Sequence, residues 1–368
     1  MFEDLYRNRR VLITGHTGFK GAWLAIWLKE LGAHVSGYAL EPPSEPNLFA
    51  ISALQGRIKH HHHGDVRDYA ALESVFRQYQ PEIVFHLAAQ PLVRLSYEDP
   101  KQTFDTNVGG TVNLLEAVRH TPSVRVLVNV TSDKCYENKE QIWGYRECDP
   151  LGGHDPYSAS KGCAELVFNA YLTSFFSRGL SSGRHPLGAA SARAGNVIGG
   201  GDWGRDRLLP DCIRALSANE AIRIRNPHAV RPWQHVLEPL RGYLHLGARL
   251  WERPEAFSGA WNFGPEDQSQ LAVKDVVARL IDLWGHGAWE DLSDPAAPHE
   301  AHLLRLCCDK AHGELGWRGI LDMDECLAMT AAWYKTFYER QRDMYDLCVE
   351  QIRNYEKKLA GPSSGTGP

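Results

Sequence analysis

No stretch of this 368-residue sequence approaches the roughly 20 consecutive apolar residues that a bilayer-spanning helix needs. The first ten residues are too short and too charged for a secretory leader, so a cytoplasmic protein is expected. The eight cysteines, Cys135, Cys148, Cys163, Cys212, Cys307, Cys308, Cys326 and Cys348, include no C-x-x-C pair and no disulfide-dense region. They read as reduced thiols, and without a second Cys or His pair at ligand spacing the adjacent Cys307 and Cys308 give no metal site. An excess of basic residues is missing as well. With 40 Lys and Arg against 45 Asp and Glu the formal charge is −5, which argues against nucleic-acid binding through a general cationic field. Any phosphate recognised here must be met locally.

What is present is ordinary globular material, 43% apolar and 23% charged, in a chain long enough for a main domain with a smaller companion. From residue 9 to about 130, short β-branched apolar runs alternate with helix-patterned stretches, the rhythm of a parallel sheet with crossover helices. Strands are expected at Arg10–Thr14, His34–Ala39, 82–86 and 124–130, apolar enough for burial on both faces. A long helix over 157–176, a strand over 187–193 and a Gly-rich loop over 195–204 follow. The fold class is α/β: a Rossmann-type doubly wound parallel sheet with a smaller mixed α/β C-terminal substrate lobe. Residues 1–195 are assigned to the dinucleotide-binding domain, with room for a strand or two to return from the later chain, and 196–340 to the substrate lobe. A strand at 260–263 is expected to stand isolated in that lobe. One or two amphipathic packing helices fall within 323–358, and the tail 361–368, rich in Gly, Ser and Pro, reads as a disordered end.

The first strand runs into Gly15-His16-Thr17-Gly18-Phe19-Lys20-Gly21 and then an apolar helix. Glycines here permit a tight turn and close approach of backbone to a pyrophosphate, and the helix start offers free N–H groups and a positive dipole end. A tight turn alone would explain the glycines but not the rest of the pattern. Beyond the second strand, Glu41 suits the ribose hydroxyls of NAD, whereas Lys20 would suit NADP; the residues favour NAD. Asp65 sits where a strand end can meet an adenine edge, with a helix cap as its alternative and as the favoured reading of Asp68. The run His60 to His63 cannot converge on one ion, because consecutive strand residues point to opposite faces. It reads as a solvated loop or strand.

Two further segments carry candidate chemistry: Thr131-Ser132-Asp133-Lys134-Cys135-Tyr136, after a buried strand, and Tyr157-Ser158-Ala159-Ser160-Lys161, opening a helix. Tyr157 and Lys161, four apart, share a helix face. A neighbouring ammonium favours the phenolate and makes Tyr157 a usable base toward a substrate hydroxyl, with Ser132 holding that hydroxyl.

The glycine loop, His86-Leu87-Ala88-Ala89-Gln90, Tyr157-x-x-x-Lys161 and Arg193-Ala194-Gly195-Asn196 together resemble the extended short-chain dehydrogenase/reductase family. The wording of the glycine loop, of residues 131–136, of Gly199-Gly200-Gly201-Asp202-Trp203 and of Arg231-Pro232-Trp233-Gln234-His235-Val236 is similar to the branch that dehydrates CDP-glucose, over roughly residues 11–265. The resemblance implies a bound NAD and a redox-neutral cycle: oxidation at C4 of the sugar, loss of water across C5 and C6, and hydride return to C6. It assigns catalysis to Ser132, Asp133, Lys134, Tyr157 and Lys161. It assigns cofactor contact to Gly15, Thr17, Gly18, Phe19, Lys20, Gly21, Asp65, Val66, Leu87, Ala88, Ala89, Gln90, Thr106, Val130, Tyr157 and Lys161. Related dTDP-glucose dehydratases carry Asp-Glu where this chain has Asp133-Lys134, so Asp133 fits the acid, and Lys134 is either the base or a partner of a carboxylate such as Glu147. Substrate diphosphate falls to Asn196, Arg205, Arg207 and Arg231, whose donors suit it. Of Trp203 and Trp233, one is expected in the core. No metal is expected. Relatives associate through two helices, matched here by 100–119 and 157–176, which implies a homodimer or homotetramer. A 4-epimerase would share the loop and the Tyr–Lys pair but needs no elimination acid. A regulator that had lost catalysis would tolerate Phe at position 157.

Overall fold

In a computed structural model of the chain, residues 2, 4–177, 186–265, 270–293, 304–340 and 342–361 are described; the expected disordered tail falls, from residue 362 on, outside them. Strands β1 (Arg10–Thr14), β2 (His34–Ala39), β3 (His60–His63), β4 (Ile83–His86), β5 (Val126–Val130), β6 (Gly188–Arg193) and β7 (Gly259–Asn262) form one sheet. Their order is β7-β6-β5-β4-β1-β2-β3, and every pairing is parallel. Residues alternate between two cores: Val11, Ile13, Phe85 and Val128 enter one, Leu12, Val84 and Leu127 the other. This explains the unbroken apolar runs, since each strand is covered on both faces. Winding reverses between β1 and β4, which opens a crevice at their C-terminal ends.

The expected strands at 82–86 and 124–130 are shorter, Ile83–His86 and Val126–Val130. The four histidines form the edge strand β3, whose polar surface suits a strand paired on one side only. The strand expected to stand isolated near 260–263 instead completes the main sheet beside β6, with Trp261 opposite Ala192 and fully buried. Its composition hid it, because Gly-Ala-Trp-Asn has no β-branched residue and its single large apolar side chain gives no period. Among the described residues the later chain also forms three two-stranded pairs, which include Val197–Ile198 with Gln234–His235 and Val230–Pro232 with Gln270–Ala272.

Helix Phe19–Glu30 carries the glycine loop and is braced from behind by the last helix, Met344–Ala360. Trp27 Nε1 donates to Glu356 at 2.8 Å, and Glu30 receives Tyr345 Oη at 2.8 Å and Arg353 at 3.0 Å. The segment 323–358 is thus two packing helices, the first of which buries Trp333 and Tyr334 completely. The helix expected over 157–176 runs as Pro156–Tyr171, capped by Asp155 at Ser158 N, and loosens into a π-type turn at Leu172–Phe176.

One buried ion pair locks this helix to the sheet. Glu165 meets Arg193 of β6 at 2.7 Å, with both side chains almost fully excluded from solvent. The carboxylate also receives the Ser191 hydroxyl at 2.8 Å and the Thr131 hydroxyl. Arg193 donates onward to Tyr136 Oη at 2.6 Å, and Tyr136 donates to Asn262 Oδ1 of β7 at 2.8 Å. Removing one partner strands a buried charge. Arg193→Met is therefore expected to lower the unfolding free energy by about 3–5 kcal/mol in chemical denaturation; a loss below about 1 kcal/mol would show that the pair does not hold the helix.

Candidate active site

The glycine loop fits a dinucleotide phosphate by shape. Gly15 has φ +78°, and a Cβ there would lie 2.7 Å from Ala88 N, so the loops after β1 and β4 touch. A Cβ on Gly21 would fall 2.2 Å from Gly15 O. The helix opens at Gly18 with no side-chain cap and no acidic residue in its first turn. Its N-terminal N–H groups therefore face the crevice as an anion cradle. Thr14 Oγ1 lies 2.6 Å from His86 Nδ1 and accepts from Ala88 N at 3.3 Å, which fixes Leu87, Ala88 and Ala89 beside the loop.

Around the crevice, Thr17 donates to Leu40 O at 2.9 Å, while Glu41 is largely exposed and lies 3.8 Å from His63. Asp65 is neither a cap nor free. It accepts Arg67 N and Nε at 2.9 Å and Nη2 at 2.6 Å; burial pushes its carboxyl up, but the Arg67 hydrogen bonds outweigh this and hold it below its ordinary value. Asp68 is the cap, accepting from Ala71 N at 3.0 Å. Val66 is buried against Gly110, Val130 ends β5 with little exposure, and Thr106 lies in the π-type turn Asp105–Gly109. In that turn sits a residue the sequence did not single out. Asn107 exchanges two hydrogen bonds with the Gln90 backbone, at 2.8 and 3.1 Å, and donates to Ser160 Oγ at 2.8 Å, which in turn donates to Tyr157 O. It joins the β4 loop to the Tyr157 helix; a polar side chain before two glycines in a helical run was the available signal.

The second cluster lies just beyond β5. Ser132, Asp133, Tyr157 and Lys161 are all buried. Ser132 Oγ donates to Asp133 Oδ1 at 2.8 Å, accepts from Lys134 N at 3.3 Å, and shares a hydrogen bond with the Tyr157 phenol. The expected lysine-lowered phenol is not what the chain alone provides. Burial pushes Tyr157 up to about 12, with the Ser132 hydrogen bond and the Arg207 charge pulling down and the Asp133 charge pushing up. Lys161 Nζ lies 5.9 Å from the Tyr157 ring centre. It is itself lowered to about 8 by burial and then by repulsion from Lys20, against the pull of Glu165. Lys20 is likewise lowered to about 8, by burial and by Arg207.

Asp133 lies flush on the backbone: a Cβ on Gly195 would come within 1.9 Å of its Oδ2. Both line a small cleft with Pro232, Gly264, Pro265, Arg305 and Leu306. Lys134 is partly exposed and has no ion pair among the described residues. Glu147, its suggested partner, instead accepts from Asn262 N at 2.9 Å, and burial raises its carboxyl.

Of the four residues expected at a diphosphate, Arg207 comes nearest the phenol and is held by Asp202 at 2.8 and 3.0 Å. Asn196 adopts a left-handed φ of +48° at the cleft's edge, beside Gly195. Arg231 is half-buried and donates to Val230 O at 3.1 Å, whereas Arg205 is exposed. Trp203 and Trp233 are both buried, so the core takes two indoles rather than one. Arg305 escaped the sequence reading. It faces the cleft with Asp133, and its Nε is buried without a hydrogen-bond partner among the described residues; a lone Arg inside Leu-Leu-Arg-Leu was the signal.

Known proteins are similar to this chain in sequence and fold. A family model described as GDP-mannose 4,6 dehydratase matches residues 12–245. CDP-glucose 4,6-dehydratase of Salmonella typhimurium is 49% identical over 96% of this chain and 98% of its own length. A dTDP-glucose 4,6-dehydratase of Xanthomonas campestris is 27% identical, over 88% of this chain and 93% of that protein. Among solved structures, a dTDP-glucose 4,6-dehydratase from Streptomyces venezuelae with NAD and TYD bound superposes with a TM-score of 0.74 at 24% identity, covering 91% of this chain and 99% of that one. UDP-glucose 4-epimerase from Thermotoga maritima, with UDP-glucose, gives a TM-score of 0.75 at 20% identity, covering 89% and 99%. By the extent of these matches the chain belongs to the GDP-mannose 4,6 dehydratase family, within the extended short-chain dehydrogenase/reductases that its motifs resemble.

Proposed function

We propose that the protein is an NAD-dependent lyase that converts CDP-glucose to CDP-4-keto-6-deoxyglucose, in the cytoplasm and as a homodimer or homotetramer. The observation that carries this reading is the buried Tyr157–Ser132–Asp133 cluster, an acid and a phenol sharing one hydroxyl at the mouth of the β1–β4 crevice. The 49% identity to a CDP-glucose 4,6-dehydratase across nearly the whole chain supports the choice of substrate. An epimerase has no use for Asp133 in that position. Tyr97, Phe104, Leu166 and Phe175 are exposed on or beside the two helical runs expected at a subunit interface, which supports self-association. No described helix is long and apolar enough to cross a membrane.

The glycine cradle, Leu87 to Gln90 and the Tyr157 helix would hold the dinucleotide, which when bound supplies a hydride acceptor and a positively charged ring. Tyr157 takes the proton of the C4 hydroxyl while Ser132 hydrogen-bonds the same oxygen. A phenol near 12 is a poor base near neutral pH, pulled down within the chain by the Ser132 hydrogen bond and the Arg207 charge; the positively charged ring of the bound dinucleotide would lower it further. Once C4 is a ketone the C5 proton is acidic. Lys134, partly exposed and without a carboxylate partner among the described residues, is the base that removes it, and Asp133 delivers a proton to the C6 hydroxyl, which departs as water; hydride return to C6 and a proton to C5 complete the 4-keto-6-deoxy sugar. Asn196, Arg231 and Arg305 bind the diphosphate, with Arg207 bridging toward the sugar.

Incubation with CDP-, dTDP- and UDP-glucose is expected to give a 4-keto-6-deoxy product, visible by its alkaline absorbance, from the CDP sugar foremost. Tyr157→Phe should reduce turnover by about 100-fold or more. No product from any of the three sugars would reject the proposal.

Lys161 also carries a stability cost. Its pKa falls from 10.5 in the open chain to about 8 in the fold, so the charged form is disfavoured on folding. That penalty is fully present below pH 8 and fades as pH rises toward 10.5. Lys161→Met is expected to abolish activity yet raise unfolding free energy near neutral pH by up to about 3 kcal/mol, an advantage that shrinks in alkaline buffer. A variant less stable than the parent at neutral pH would contradict the assignment.

A further inference from the structure

Behind Asp133 the protein keeps polar groups that neither the sheet nor the crevice uses. Gln234 is buried, and its Nε2 donates to Phe263 O at 2.9 Å and to Gly195 O at 3.3 Å. It therefore grips the residue against which Asp133 Oδ2 rests and the residue preceding Gly264, another wall of the cleft. Gln234 Oε1 is buried without a hydrogen-bond partner among the described residues. Tyr243, on helix Leu237–Glu252, is completely buried, packs edge-on against Phe263 with ring centres 5.7 Å apart, and likewise has no partner for its hydroxyl among the described residues. Tyr243 and Gln234 thus meet at Phe263, one through its ring and the other through its backbone carbonyl; besides burial, the charge of Asp133 also raises the Tyr243 phenol.

Two unpaired polar atoms in one apolar setting are costly unless an internal water or each other satisfies them. Asp133, for its part, has its Oδ1 engaged by Ser132 and its Oδ2 turned toward the Gly195 backbone. A water held by Tyr243 Oη and Gln234 Oε1 would satisfy both atoms and keep one hydrogen for the carboxylate.

We propose that Gln234 and Tyr243 are positioning residues for Asp133, acting through one internal water that steadies the carboxylate once it has given its proton to the departing C6 hydroxyl. The inference rests on the reading of Asp133 as the elimination acid. Neither residue touches the C4 hydroxyl or its base, so C4 oxidation is untouched by their loss and only the elimination slows. The proton that Asp133 gives leaves with the C6 oxygen as water, and the proton lost from C5 balances it. No redox change falls on either positioning residue.

Tyr243→Phe removes one oxygen from a packed ring and separates the two steps. With CDP-glucose and the NAD-loaded enzyme, the variant is expected to turn over about tenfold more slowly at unchanged KM. A 4-keto hexose that keeps its C6 hydroxyl should accumulate, trapped by borodeuteride and identified by the one deuterium it then carries at C4. Gln234→Met, which keeps the side chain's length and drops its amide, should accumulate the same species. Parental kinetics in Tyr243→Phe would overturn the proposal, as would oxidation and elimination falling in parallel, the signature of a merely structural role. If Asp133→Asn still eliminates water, the functional reading of Asp133 fails instead, and the two failures are distinguishable.

Discussion

Glu165 and Arg193 form the contact on which the candidate site is built. The carboxylate comes from the helix that carries Tyr157 and Lys161, the guanidinium from β6, and the hydroxyls of Thr131 and Ser191 complete the acceptor shell. Through Tyr136 and Asn262 the same network reaches β7. A buried pair of this kind contributes little net stability over an apolar substitute, but it fixes one arrangement of the elements that bear it. Here that arrangement sets the Tyr157 phenol against Ser132 and lays Asp133 on Gly195. The segment after β5, which begins at Thr131, is pinned at its first residue by this pair and at its end by Tyr136.

Electrostatic cost is concentrated at the same place. Lys20 and Lys161 are both pushed down to about 8, each by burial first. Tyr157 is pushed up to about 12, and no side chain caps the glycine-loop helix. Each is unfavourable for the protein alone and becomes useful once an anion and a sugar hydroxyl are present. Such sites are stabilised from a distance. The bracing comes from the last helix behind Trp27 and from Asn107, which joins the β4 loop to the Tyr157 helix.

Most of the sheet was legible because its strands are buried on both faces and so keep unbroken apolar runs, as in Val126–Val130. Strand β7 was misplaced because burial there rests on one Trp rather than on a period. Ser132, Asp133, Tyr157 and Lys161 were legible as types at a spacing, and the structure brings them together. What spacing could not convey was the sense of the charge. Proximity of Lys161 to Tyr157 follows from i,i+4 geometry, but the competition between attraction and desolvation depends on every group buried around them, including the distant Lys20 and Arg207. Asn107, Arg305 and Tyr243 were not singled out, and Gln234 stood only as one letter of a motif, for a related reason: each acts across the fold, with partners remote in sequence.

The central claim is that the Tyr157 cluster removes a hydride from C4 of the sugar and that the same hydride returns at C6 without leaving the protein. Its most direct test is CDP-glucose carrying deuterium at C4, converted in a mixture with unlabelled sugar that bears a distinguishing carbon label. The account predicts that the deuterium appears in the C6 methyl group of the same sugar molecule. Deuterium lost to solvent, or found on the other sugar, would contradict it.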